Sequence, residues 1–93
     1  MVHVVAYDLV TPNDTPENYE IITTAIKREF QGWAHIEQSV WLVDTPMEAS
    51  QVREHLKVYL HSSDLLFVGR LHGNWASWNF GDSRNAWLKG RSF

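Results

Sequence analysis

Residues Val2 to Leu9, reading Val-His-Val-Val-Ala-Tyr-Asp-Leu, constrain the fold more than any other stretch of the chain. Apart from His3 the run is apolar up to Asp8, and a strand apolar on both faces belongs in the middle of a sheet that is covered on both sides. The carboxylate at its end, Asp8, is therefore the first chemical feature to explain.

Beyond Leu9 the chain alternates between helix and strand. The segment Val-Thr-Pro-Asn-Asp-Thr-Pro marks a loop, in which Thr15 is placed to cap a helix that has Pro16 at its first position. Tyr19, Ile22, Ile26 and Phe30 then recur at three- and four-residue spacing, which predicts an amphipathic helix from Glu17 to Phe30, with Gly32 ending it. Ala34 to Val43 is the second β segment, with Ile36, Val40 and Leu42 on one side and His35, Glu37, Ser39 and Trp41 on the other. Gln38 breaks that alternation and implies either a bend or a division into two short strands; no turn dipeptide marks a hairpin. Thr45 and Glu48 have the spacing of a capping box around Pro46, which predicts a second helix with Ala49, Val52, Leu56 and Tyr59 or Leu60 on its buried face. His61 to Asp64 closes it, and Leu65 to Leu71 forms the last strand. The tail from His72 to Phe93 carries Trp75, Trp78, Phe80 and Trp87, and Ser83 is placed to cap a short helix through Lys89.

This order predicts an α+β domain over residues 1–71 and an extension over 72–93. Right-handed crossovers place both helices on one face of a small sheet. The opposite, apolar face then needs a cover, and the chain offers two: its own Trp-rich tail and a second copy of itself. Both are expected to contribute.

Composition narrows the function. The 93 residues contain no cysteine, so disulfides, thiolate nucleophiles and cysteine-bound zinc are excluded, and a reducing cytoplasm is the expected location. No basic segment precedes the first apolar run, and no stretch approaches the roughly 20 apolar residues that cross a bilayer, so no membrane partner is expected. A formal charge of −3 makes attraction to a polyanion weak unless a local basic patch exists. Arg53 with Lys57, and Lys27 with Arg28, could form such a ridge, but Glu29 and Glu54 dilute it. In the tail, Arg84, Lys89 and Arg91 alternate with Trp78, Phe80, Trp87 and Phe93, a composition that suits base stacking and equally suits packing and dimerisation, the reading we favour.

The element order, the first strand ending in Ala-Tyr-Asp-Leu, the Ser39-Val40-Trp41 segment and the Asp64-Leu65-Leu66 strand start together resemble the CRISPR-associated protein 2 family. The run Ser-Val-Trp-Leu-Val-Asp-Thr with the later Trp-Ala-Ser-Trp is closer still to a divergent, SinR-family-like branch of small bacterial proteins on the same scaffold. Glu37 stands where that family usually has Gln. The resemblance spans Val2 to about Leu71 and implies a ferredoxin-like homodimer, with Asp8 of each subunit near the two-fold axis and able to share a divalent metal. It also implies a metal-dependent nuclease or a structural partner of nucleic-acid-processing proteins.

Taken on its chemistry, Asp8 either caps nearby N–H groups at a strand end or acts in a site. Two such carboxylates brought together by symmetry repel, so one takes a proton or a cation, here Mg2+, settles between them. Such an ion polarises a phosphate and activates water for phosphodiester cleavage. Ser39 is the candidate to orient a phosphate or water, although a strand serine more often just fills its place. Asp64 reads as a turn residue. The histidines show no metal-ligand spacing, and His3 and His35 become neighbours only if their strands pair. The expected function is a small dimeric phosphodiesterase of weak or vestigial activity. The alternatives are a non-catalytic dimerisation or protein-interaction module and a toxin-like ribonuclease.

Overall fold

The computed structural model describes residues 1–93. Val2–Asp8 forms strand β1, and it lies inside the sheet as its apolar character requires. Helix α1 (Pro16–Glu29), strands β2 (Gly32–Glu37) and β3 (Val40–Asp44), helix α2 (Ala49–Leu56), a 3-10 turn (Lys57–Tyr59), strand β4 (Leu65–Arg70) and helix α3 (Asp82–Lys89) come after it in chain order. The four strands make one antiparallel sheet in the order β2-β3-β1-β4. This α+β topology is compatible with the ferredoxin-like type.

Period-2 alternation along β1 sends Val5 and Tyr7 to one face, where they join Trp41 and Val43 from β3, Ile22 and Ile26 from α1, and Val52 and Leu56 from α2 in the main core. Both helices therefore share one face. Each of these fully buried aliphatic side chains stabilises the fold by about 2 kcal/mol relative to exposure. Val2 and Val4 point the other way. There they meet Ala34, Ile36 and Leu42, covered by Leu88, Trp75, Phe80, Trp87 and Phe93 from the tail of the same chain. Trp78 takes no part in that cover within the single chain and is 87% exposed.

Local chemistry explains most element ends. The Thr15 hydroxyl accepts from the Asn18 N–H at 3.2 Å with Pro16 opening α1. The helix stops at Glu29, because Phe30 is extended and buried, and Gly32 belongs to β2 rather than to the helix end. A β-carbon on Gly32 would lie 3.0 Å from Cβ of Asp44, so close strand approach is the reason for glycine there. α2 begins later than the Thr45–Glu48 spacing predicts: Glu48 is its N-cap, and its N–H donates to Gln51 Oε1 at 2.8 Å. Thr45 is instead buried at the end of β3, with its N–H on the Met1 carbonyl at 2.9 Å. Gly81, at φ 83°, precedes α3 in place of the expected Ser83 cap.

The second β segment divides into two strands. A register shift between His35 and Glu37 absorbs the broken alternation, and Gln38-Ser39 makes the turn. No Asn-Gly or similar dipeptide is needed because β1 holds the turn: the Tyr7 N–H donates to the Ser39 carbonyl at 3.1 Å and the Tyr7 hydroxyl to the Gln38 carbonyl at 3.1 Å. No helix is long and apolar enough to cross a membrane.

Candidate functional site

Asp8 ends β1 opposite Leu65 of β4. Alternation places it on the tail-side face, with Val2, Val4 and Ala6. The tail covers the Val2 end of that face and leaves the Asp8 end bare, so Asp8 is exposed and its carboxylate makes no hydrogen bond or ion pair within the chain. Beside it, Leu65 and Phe67 are 62% and 65% exposed. Both lie on β4, whose alternate residues Leu66 and Val68 pack into the main core. The Phe67 ring lies along the strand over Gly69, where a β-carbon would come within 3.0 Å of its Cε1 atom. The result is an ordered apolar surface with one acid at its border.

Ser39 is brought to the same end of the sheet. Its carbonyl receives the N–H of Tyr7, the residue before Asp8, while its hydroxyl makes no hydrogen bond. No group of three or more His, Cys, Asp or Glu side chains is arranged to hold a metal ion. One chain thus offers a cation a single carboxylate here, too few protein ligands for a built magnesium site, and a shared ion needs the Asp8 of a second copy.

Asp64 lies next to Leu65 but is fully engaged. Its Oδ1 accepts from the Val10 N–H at 2.9 Å and from Asn13 Nδ2 at 3.2 Å, and its Oδ2 accepts from the His61 N–H at 2.9 Å with His61 Nδ1 at 3.3 Å. Its side chain is 0% exposed. Burial alone would raise this carboxyl, but the His61 and Val10 N–H groups, Asn13 and the His61 ring outweigh it and hold its pKa below the usual value. The residue ties the loop after β1 to the turn before β4.

β3 runs between β1 and β2, so His3 and His35 do not pair as a general-base couple. The His3 Nε2 atom lies 2.7 Å from the Met47 carbonyl, and the His35 ring stacks on Trp41 at 3.7 Å. The basic ridge is also largely spent. Lys57 and Arg53 bind Glu54 at 2.8 and 3.1 Å, and these two contacts, Lys57 first, hold the Glu54 carboxyl low. Arg28 donates to the Tyr59 hydroxyl at 2.7 Å, and that hydroxyl donates to Glu29. In the tail, Arg91 lies over the Trp87 ring at 4.3 Å and reaches Asp44 at 3.4 Å.

Sequence reasoning passed over two features. One is the exposed Leu65/Phe67 surface, whose signal was the unbroken apolar run Leu-Leu-Phe-Val in an edge strand. The other is a cleft between β2 and α3, which no local pattern announces because its walls are fifty residues apart. No model of a known protein family matches the chain.

Proposed function

We propose that two copies of this chain pair through the bare end of the tail-side face, on a ferredoxin-like scaffold, and that their Asp8 carboxylates form a shared magnesium-dependent phosphodiesterase site. This is the activity implied by the likeness to the CRISPR-associated protein 2 family. The observation that carries the reading is the setting of Asp8, an unengaged acid on the border of an exposed apolar strand surface. Removing Leu65 and Phe67 from water favours association. Pairing also brings two like charges together in a drier place, which favours a cation between them. Magnesium bound there supplies Lewis-acid polarisation of a phosphate and a water of lowered pKa. Asp8 holds the ion, and the free Ser39 hydroxyl orients a phosphate oxygen.

A different observation favours the second reading, a protein-interaction module without chemistry: the chain is acidic, and most of its cations are already engaged by its own acids, carbonyls and rings. Sedimentation of the parent and of Phe67→Lys, with cleavage assays on single-stranded RNA and DNA with and without magnesium, separates the two. The phosphodiesterase reading expects a dimer and magnesium-dependent cleavage that Asp8→Ala abolishes. A dimer without such cleavage leaves the interaction module, and a monomer removes the shared Asp8 site.

A further inference from the structure

The sheet has two outer strands, β2 and β4, and the chain treats their free edges differently. β2 is guarded. A register shift between His35 and Glu37 interrupts it, α3 lies against it, and Arg84 Nε donates to the outward carbonyl of His35 at 3.0 Å. β4 carries no such device: Leu-Leu-Phe-Val-Gly-Arg pairs with β1 in unbroken register and contains neither Pro nor Lys. An unguarded apolar edge is a ready template for another strand.

Hydrogen-bond phase fixes which groups that edge offers. The Leu71 N–H donates to the Val2 carbonyl at 2.8 Å, and in an antiparallel ladder alternate residues turn both backbone groups to the same neighbour. Leu65, Phe67, Gly69 and Leu71 therefore face β1, while the N–H and C=O groups of Leu66, Val68 and Arg70 point away from it. No other strand or loop of the chain takes those groups up. The side chains alternate too. Leu66 and Val68 pack on the helix side, and Leu65 and Phe67 stay 62% and 65% exposed on the tail side.

We propose that β4 pairs with β4 of a second copy, antiparallel about a two-fold axis at Val68, so that the two sheets become one. In this register Val68 meets the partner's Val68 and Leu66 meets the partner's Arg70, and every outward backbone group of the strand finds a mate. Moving the axis to Phe67 sets Asp64 against the partner's Arg70, and the Asp64 N–H is already on the His61 carbonyl at 3.0 Å. On the tail side Phe67 comes opposite the partner's Gly69, in a pair that is not hydrogen-bonded and whose side chains approach closest. Its ring already rests over the Gly69 of its own strand, and a ring laid over a facing glycine is a stabilising cross-strand pair. Leu65 comes opposite the partner's Leu71. A strand of unrelated sequence has to bring its own small residue to face Phe67, whereas β4 reversed supplies one. The contact lies in the plane of the sheet and goes beyond the pairing of Asp8 over its face, so one chain can make both with two different neighbours.

The test follows amide hydrogen exchange of the full chain by NMR at low and high protein concentration. A half-labelled sample is also searched for an interchain contact between the α-protons of Phe67 and Gly69, which a pair without hydrogen bonds brings together. The amides of Leu66, Val68 and Arg70 should slow by at least about ten-fold at high concentration, and the interchain contact should be present. Pairing of the Asp8 ends alone leaves those three amides open, so the readout separates the two contacts. Arg70→Pro removes one outward N–H and leaves the β1 ladder intact. With circular dichroism confirming its fold, protection of Leu66 and Val68 should then need about ten-fold more protein, because each copy loses a bond. If Arg70→Pro does not fold, exchange and the interchain contact in the parent decide. The proposal is overturned if the three amides exchange equally fast at both concentrations, if the Phe67–Gly69 contact is missing at high concentration, or if a folded Arg70→Pro protein gains protection as the parent does.

Discussion

The Trp41 indole N–H donates to the Tyr7 hydroxyl at 2.9 Å, and the same hydroxyl donates to the Gln38 carbonyl at 3.1 Å. One buried oxygen therefore satisfies the largest core side chain and anchors the β2–β3 turn that carries Ser39. Replacing Tyr7 by Phe leaves the indole N–H buried without an acceptor and frees the turn, so a loss of about 1–3 kcal/mol is expected in urea unfolding. The variant also tests an alkaline effect. Burial raises the Tyr7 pKa above its ordinary value against the opposing pull of the Trp41 hydrogen bond. A raised folded pKa contributes stability that is present below the unfolded value of about 10 and is lost as pH rises through the folded one. The parent should lose stability above about pH 10, and Tyr7→Phe should show a flatter limb there. An identical alkaline limb in both proteins would assign that loss to other groups.

Asp64 predicts the acid side. Its folded pKa is depressed, so its contribution is present above the unfolded value of about 4 and disappears as pH falls through the folded value. Asp64→Ala strips acceptors from the Val10 and His61 N–H groups and should cost about 2 kcal/mol at neutral pH. The variant should then change less than the parent between pH 5 and 2, in a ladder of thermal melts. Equal acid sensitivity in the two proteins would show that other carboxylates dominate.

How far the fold was readable depended on how local its causes are. The Thr15-Pro16 start, the α1 and α2 apolar faces and the buried character of β1 rest on patterns within a few residues along the chain, and all were legible. The Gln38-Ser39 turn was not, because its hydrogen bonds come from Tyr7 across the sheet, and neither was the start of α2, because the Thr45 hydroxyl accepts the Met47 N–H two residues on while Gln51 takes the Glu48 N–H. The tail could be read as cover for the sheet, yet its tryptophans could not be sorted. Whether Trp75 or Trp78 turns inward depends on the path of the loop, which composition does not encode. The sequence singled out Asp8 as an acid ending an apolar strand. Its apolar surroundings required knowing which end of the sheet the tail leaves open.

That open end yields a prediction centred on Phe67 and Gly69. The ring rests where a glycine leaves space, so Gly69→Ala forces its far edge off the strand by a few tenths of an ångström or more. The ring edge is free to swing, so stability should change by less than about 1 kcal/mol. The surface offered to a second copy changes shape, and sedimentation equilibrium should show weaker self-association, with Phe67→Lys abolishing it. Association unchanged in both variants would move the interface elsewhere.

The tail gives the last expectation. Leu88 is its most deeply buried side chain, 3% exposed against Val2, Ala34 and Leu42. Its long-range polar ties to the sheet are few, mainly Arg84 to the His35 carbonyl and Arg91 to Asp44. A segment attached by one fully buried side chain, four half-buried aromatic rings and two guanidinium contacts should open before the helix-side core does. Leu88→Ala removes about 2–4 kcal/mol from that anchor, so trypsin should cut at Arg84, Lys89 and Arg91 far faster, and emission from Trp75 and Trp87 should shift to the red. Trp78→Ala, at a fully solvated position, should change neither by more than a surface substitution does. The main melting transition, set by Val5, Trp41, Ile22, Ile26 and their neighbours, should move little. A Leu88→Ala protein that melts far lower in a single step, with no separate rise in tail cleavage, would mean that tail and sheet unfold as one cooperative unit.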